Sequence, residues 1–135
     1  MLYFAYGSNL NKSQMSVRCP KARALGSAYL IGWRLVFRGV ADIEPSDDPS
    51  VMLPVGFWDI TTDCLESLDH YEGYPHLYRR VNINGAMTYR MNTEGYSSPS
   101  NFYFDGIAKG YSDFELDKTE LWHARDWADD LELAV

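Results

Sequence analysis

Leu2-Tyr3-Phe4-Ala5-Tyr6 runs straight into Gly7-Ser8-Asn9-Leu10, an aromatic-rich apolar stretch halted by a Gly-Ser-Asn turn. The apolar stretch reads as a buried strand that ends abruptly. Asn11 with Gln14 three residues on has the pattern of a capping box, so a short helix is expected over 12–18, stopped by Pro20. A strand that feeds a helix through such a turn leaves successive backbone N–H groups unpaired. They form a nest for a carboxylate or phosphate, and Gly7 lets a ligand approach the main chain. Read alone, the same turn is also an ordinary connection capped by Asn9 or Asn11. It is not a phosphate P-loop, because no Gly-Lys-Ser/Thr follows.

Outward from this turn the chain alternates short elements. Tyr29, Ile31, Trp33, Leu35 and Phe37 recur at alternate positions, a strand region over 28–38 with Gly32 as a bend. Asp42 to Ser50 holds two prolines and four acidic residues and reads as a solvated loop. A strand is expected over 51–60, with Pro54 marking an edge or a bulge. Leu65, Leu68 and Tyr71 are spaced for a helix over 61–71, with Asp63 and Glu66 as its cap and Gly73 and Pro75 as its stop. Asn84-Gly85 between two strand-like runs, 78–83 and 86–91, signals a hairpin. A loop follows over 93–101, then a further strand over 102–108. A last helix is expected over 118–127, capped by Asp117 and Glu120. Many short strands with three helices inserted define an α+β domain spanning residues 1–135, with a small closed or nearly closed sheet.

Composition narrows the function. With 135 residues, about 22,000 Å² of unfolded surface falls to about 7,000 Å² on folding, enough burial for a core without disulfides. Nineteen acidic against twelve basic residues leave a net charge of -7, which speaks against nucleic-acid partners and anionic membrane surfaces. No apolar run approaches the length of a transmembrane helix, and the opening residues are too soon broken for a signal peptide. Cys19 and Cys64 stand alone, without a CxxC pair, and with His70, His76 and His123 they show no metal-ligand spacing. The expectation is a cytoplasmic, reduced protein with no metal site.

The second break with local rules is Leu68-Asp69-His70-Tyr71-Glu72-Gly73-Tyr74-Pro75. Glu72 falls at the last turn of its helix, where the helix dipole disfavours a negative charge. Asp69 adds like-charge repulsion, and Tyr71 and Tyr74 add desolvation. All three raise its pKa, and a raised carboxylate is better matched to taking a proton from an ammonium group than one at pKa about 4. The alternative is an exposed glutamate at a frayed helix end.

Taken together, the two segments resemble the γ-glutamylcyclotransferase superfamily. Tyr3-Phe4-Ala5-Tyr6-Gly7-Ser8-Asn9-Leu10 is similar to the family's N-terminal signature, and Leu68-Asp69-His70-Tyr71-Glu72-Gly73 matches its Leu-Asp-x-x-Glu-Gly pattern. Val55-Gly56-Phe57-Trp58-Asp59-Ile60, Tyr78-Arg79-Arg80-Val81, Ser98-Pro99-Ser100 with Tyr103, and Ile107-Ala108-Lys109-Gly110-Tyr111 resemble further family segments, in order along the chain. The resemblance implies a small mixed β-barrel with flanking helices. It also implies an enzyme that closes a γ-glutamyl amide onto its own α-amine, releasing 5-oxoproline and an amine. Glu72 would be general acid and base, and Tyr6, Gly7, Ser8 and Asn9 would hold the γ-glutamyl group with Tyr3 nearby. Tyr103 falls where the family has a ligand-contacting tyrosine. The aromatic stretch 71–78 looks closer to the branch that processes γ-glutamylamines.

The chemistry agrees with the residues. Ring closure is intramolecular, so holding the substrate folded supplies much of the acceleration. One carboxylate takes a proton from the attacking amine and gives it to the leaving one, which needs no cofactor. Tyr78 is a further pocket candidate. Arg79 and Arg80 point to opposite faces, so at most one reaches a substrate carboxylate. His70 and His76 read as surface and loop residues, Cys64 as core, and Trp122 and Trp127 as packing. Ser8 lacks the surroundings of a nucleophile. The rival functions are a catalytically inactive module on the same fold that binds a small carboxylate-bearing metabolite, and an interaction protein using its acidic surface. The expected partner is a small molecule; the leaving amine and the oligomeric state are left open.

Overall fold

Strand β1 (Leu2–Ala5) is the middle of a five-stranded sheet in a computed structural model that describes residues 1–133. It pairs antiparallel with β5 (Met52–Asp59) and parallel with β7 (Ala86–Met91). Strands β2 (Arg23–Ile31) and β6 (Tyr78–Ile83) complete the order β2-β5-β1-β7-β6. Phe4 packs edge-on against Phe57 at 6.2 Å between ring centres, while Tyr3 meets Tyr89 at 6.0 Å. Pro54 sits in β5 without costing a ladder bond on the β1 side, because β1 pairs only with Gly56 to Asp59.

The expected long strand divides at Gly32, whose φ of 92° turns the chain out of the sheet. β3 (Trp33–Arg38) and β4 (Val40–Pro45) then form a two-stranded ribbon of their own, turning at Gly39. The ribbon packs against β5 and β7. The architecture is α+β with a mixed sheet and flanking helices, and the sheet itself stays open rather than closing into a barrel. β4 also takes up residues 42–45, which composition assigned to a solvated loop. Asp42 is buried there because Arg38 donates to it at 2.7 Å and the Met91 N–H at 2.9 Å.

Four helices flank the sheet. Helix α1 (Lys12–Arg18) starts where Asn11 accepts from the Gln14 N–H, as the capping pattern requires. Helix α2 (Thr62–Glu72) is capped by Thr61, which accepts from the Cys64 N–H at 3.1 Å; Asp63 lies inside the first turn instead. Its end is a Schellman motif. Gly73 has φ 65°, its N–H bonds to His70, and the Tyr74 N–H bonds to Asp69. The strand expected over 102–108 is instead part of helix α3 (Asn101–Asp113). Its aromatic residues imitate strand composition, yet Phe104, Ile107 and Tyr111 are buried at helical spacing, and Ser100 caps its start. Helix α4 (Thr119–Leu133) follows Asp117, which accepts from the Thr119 N–H. Among the described residues no helix is long and apolar enough to cross a membrane.

Two further features fix the turn after β1. Gly110 of α3 lies so close to it that a Cβ there would sit 2.6 Å from main-chain atoms of Leu10 and Asn11. And Cys19, at the end of α1, is disulfide-bonded to Cys64 of α2. This corrects the expectation of two unpaired thiols: α1 and α2 pack side by side, and residues 45 apart in sequence become neighbours. Gly110→Ala is expected to cost about 1–3 kcal/mol by overpacking main chain that cannot yield. Urea unfolding should show a lower midpoint at unchanged slope.

Candidate active site

The turn after β1 and the end of α2 face each other across a cavity of about 210 Å³. Glu72, Tyr3, Tyr6, Gly7, Ser8, Asn9, Tyr78 and Tyr103 all line it. They come from β1, the turn, α2, β6 and α3, so only the folded chain unites them. Arg79, Arg80, His70 and His76 do not line it. Arg79 donates to the Met91 carbonyl and Arg80 pairs with Asp69. The 98–100 segment stays outside too, with Ser98 bonded to α4 and Ser100 capping α3.

The turn is held from below. After Ala5 leaves the sheet, residues Ser8–Leu10 make one 3-10 turn, in which the Leu10 N–H bonds to Gly7 and the Asn11 N–H to Ser8. The Trp58 indole N–H donates to the Asn9 carbonyl at 3.1 Å. Among the described residues nothing accepts from the N–H groups of Gly7, Ser8 and Asn9. A side chain at position 7 would bring a Cβ within 3.1 Å of Ala41, so glycine keeps the cavity open.

Glu72 is placed by its helix. Cys64, Leu68 and Glu72 follow at four-residue intervals, so the buried stripe of α2 carries the carboxylate inward, and the Schellman motif fixes its last turn. Burial pushes its pKa up to about 7, partly offset by the charge of Arg18 and by the Asn9 hydrogen bond. Asp69 is not a cause. It faces Arg80 and Tyr89 instead, and its own pKa is lowered.

One carboxamide joins the two halves of the site. Asn9 Nδ2 donates to Glu72 Oε1 at 3.1 Å and to the Tyr3 hydroxyl at 2.9 Å. Its oxygen accepts from Arg18 at 2.7 Å, which fixes the orientation of the amide. The Arg18 guanidinium also lies 3.6 Å from the ring centre of Tyr71, and the Tyr71 and Ser8 hydroxyls are 3.3 Å apart. Sequence reading missed Arg18 altogether. The only signal was position: the last turn of α1 brings the helix end back to the turn that began it. Tyr89 and Thr88 on β7 also line the cavity and were not anticipated.

The phenols complete the lining. Tyr6 donates to the Tyr89 carbonyl and Tyr78 to the Ala41 carbonyl, both at 2.6 Å, while the Tyr103 hydroxyl accepts from the Ala41 N–H. Desolvation raises the pKa of Tyr3, Tyr6, Tyr78, Tyr89 and Tyr103, so each stays neutral. Among the described residues no group of three or more His, Cys, Asp or Glu side chains is gathered for a metal ion. The arrangement is thus one raised carboxylate across the cavity from a turn whose N–H groups have no acceptor among the described residues, with the rest of the lining neutral.

A family model described as gamma-glutamyl cyclotransferase, AIG2-like, matches residues 3–110. The chain therefore belongs to the gamma-glutamyl cyclotransferase, AIG2-like family. No curated protein matches it in sequence. Among solved structures it is similar to a gamma-glutamyl cyclotransferase, with 24% identity and a TM-score of 0.77 over 98% of this chain and 86% of that one. It is similar also to an uncharacterized protein from Homo sapiens, at 25% identity and a TM-score of 0.76 over 97% and 85%. YkqA from Bacillus subtilis shares the fold at 19% identity and a TM-score of 0.73, over 96% of this chain and 54% of that one.

The raised carboxyl has consequences for stability. A folded-state pKa of about 7 against 4.5 favours folding only while Glu72 is protonated, so that contribution is lost as pH rises through 7. Glu72→Gln should match the parent near pH 4 and exceed it by about 3 kcal/mol above pH 8, measured by thermal unfolding across pH. Arg18→Ala removes the opposing charge, so carboxyl-carbon NMR should place the Glu72 midpoint above 7. Arg18→Lys should fall between, because it keeps the charge but not the fork that holds Asn9.

Proposed function

We propose that the chain is a γ-glutamyl cyclotransferase that closes γ-glutamyl amides to 5-oxoproline and releases the amine, with Glu72 as general base and then general acid. What carries the reading is the juxtaposition of the Glu72 carboxylate with the Gly7–Asn9 turn across one cavity. Membership of the family supports the same class of reaction.

In the first step the Glu72 carboxylate takes a proton from the substrate's α-ammonium group. The freed amine attacks the γ-carbonyl carbon, forming the ring C–N bond and a tetrahedral oxyanion. The free N–H groups of the turn are donors for that oxyanion or for the α-carboxylate. In the second step Glu72 returns the proton to the departing nitrogen as the original amide C–N bond breaks, and the ring nitrogen, which still carries two hydrogens, passes one of them through the same carboxylate to the released amine, leaving a neutral lactam and an ammonium product. A carboxyl with its pKa near 7 exchanges that proton in both directions at neutral pH. The tyrosine-lined walls hold the glutamyl chain folded, which brings amine and carbonyl together.

The protein is to be incubated with γ-glutamyl dipeptides, γ-glutamyl-lysine, glutathione and γ-glutamyl alkylamides, with 5-oxoproline read by mass spectrometry. Turnover is expected with at least one, with kcat/KM rising through about pH 7. Glu72→Gln should lose about 10²–10⁴-fold in kcat while keeping its fold. Undiminished activity in that variant removes Glu72 from the mechanism. Saturable binding without turnover assigns the chain to the binding module.

A further inference from the structure

A second cavity, of about 430 Å³, lies behind the first. Neighbouring residues of three strands alternate between the two. Ala41, Tyr78 and Tyr89 line the active-site cavity, while Asp42, Arg79 and Arg90 line the other. Its volume falls in the range of small-molecule sites, about 300–1,000 Å³. The cyclisation chemistry makes no use of it.

The wall of this cavity breaks a rule of sheet pairing. Arg79 of β6 and Arg90 of β7 stand directly opposite each other in the ladder. Like charges so placed repel. A charge that wards off a further strand would account for an arginine on the edge strand β6, but β7 is interior. Among the described residues neither Arg79 nor Arg90 forms an ion pair. Both are nonetheless anchored. Arg79 Nη1 donates to the Met91 carbonyl at 2.7 Å, and Arg90 Nε donates to the Ile43 carbonyl at 3.3 Å. That leaves Nε and Nη2 of Arg79 and both Nη atoms of Arg90 without an acceptor among the described residues.

The carboxylates of the cavity do not answer this pair. Asp42 accepts from Arg38 and from the Met91 N–H. Glu44 accepts from the Tyr96 hydroxyl at 2.8 Å, with Arg34 and Arg38 each 4.0 Å away. Only Glu94 is left, and it is exposed on the loop after β7.

We infer that this second cavity is an anion site, in which the Arg79 and Arg90 guanidiniums take a dianionic phosphate group, either free phosphate or the monoester of a small polar molecule. Two anchored forks side by side present several N–H donors to the oxygens of one compact group. Two negative charges on that group balance the two guanidiniums and end their repulsion, whereas a single carboxylate leaves one of them unbalanced. The rest of the lining, with Asn92 and Thr93 among charged side chains, suits a hydroxylated remainder rather than an apolar one. The site is independent of the cyclisation reading.

The full chain is titrated calorimetrically at pH 8, where phosphate is dianionic, with inorganic phosphate, ribose 5-phosphate and ribose at fixed ionic strength. One equivalent of a phosphate compound is expected to bind, and ribose is not. Tighter binding of ribose 5-phosphate identifies a monoester as the occupant; equal or tighter binding of inorganic phosphate identifies the free ion. Arg79→Gln and Arg90→Gln should each weaken binding at least tenfold. Arg90→Lys keeps the charge without the fork and should fall between parent and Arg90→Gln, so a Gln variant that folds poorly does not close the test. Glu94→Gln removes the competing negative charge and should tighten binding at least twofold. Binding of neither phosphate compound, or of ribose as tightly as ribose 5-phosphate, overturns the inference. Undiminished binding in both Gln variants also overturns it, because the anion then sits elsewhere, as at the Gly7–Asn9 turn. Weaker binding in Glu94→Gln overturns it as well, because a carboxylate that helps marks a site for cations. None of these failures touches cyclisation, which is read by 5-oxoproline release.

Discussion

Glu72 has given up most of its water and has, in exchange, one hydrogen-bond donor: the Asn9 carboxamide. That single contact spans the site. Asn9 belongs to the turn after β1, and Glu72 to the last turn of α2, 63 residues later. The amide could have faced either way; Arg18 on its oxygen decides that the NH₂ group looks at the carboxylate. Tyr3 accepts the second proton of the same NH₂ group, so no part of the amide is idle. The geometry of the turn, the helix and the cavity all converge on this one side chain.

Such a carboxyl is held against its own preference. Burial opposes the charged form, and neither a full ion pair nor a pair of backbone donors compensates it. The rest of the fold absorbs that strain with contacts unrelated to chemistry. The disulfide between Cys19 and Cys64 ties α1 to α2, so the elements that carry Arg18 and Glu72 cannot drift apart. Gly110 and Gly56 let α3, β5 and the turn approach to distances no larger residue allows. A tighter partner for Glu72, such as a second arginine, would relieve the stress and return its pKa to the ordinary range, where it is a poor exchanger of protons at pH 7.

What was legible in the sequence was local. The Asn11–Gln14 cap, the Asn84-Gly85 hairpin and the glycine stop at 73 depend on contacts within a few residues, and each stands where the pattern put it. The same holds for the two segments that break local rules, Gly7-Ser8-Asn9 and the Glu72 helix end, which meet at the cavity. What escaped was tertiary. Asp42 looks solvated until Arg38 is packed beside it. Residues 102–108 look like a strand until the buried stripe of Phe104, Ile107 and Tyr111 is seen to need a helix. Cys19 and Cys64 look unrelated until α1 and α2 lie together. Of the causes expected for the raised pKa of Glu72, desolvation holds and Asp69 does not, because Asp69 turns away to Arg80 and Tyr89.

The tyrosines explain how a charged centre is kept in a cavity that would otherwise be either too greasy or too wet. Tyr3, Tyr6, Tyr78, Tyr89 and Tyr103 bring polar atoms to the wall without bringing charge, since burial holds every phenol in its neutral form. Four of the hydroxyls are tied to main chain or to Asn9: Tyr6 to Tyr89, Tyr78 and Tyr103 to Ala41, and Tyr3 to Asn9. They are therefore rigid dipoles rather than mobile donors, and cost little to reorganise. Lysine or arginine in their place would pair with Glu72 and fix it as a permanent anion. Phenylalanine would leave the Asn9 amide and the Ala41 carbonyl short of partners. A wall of anchored phenols is the solution that leaves the carboxyl free to change its protonation state.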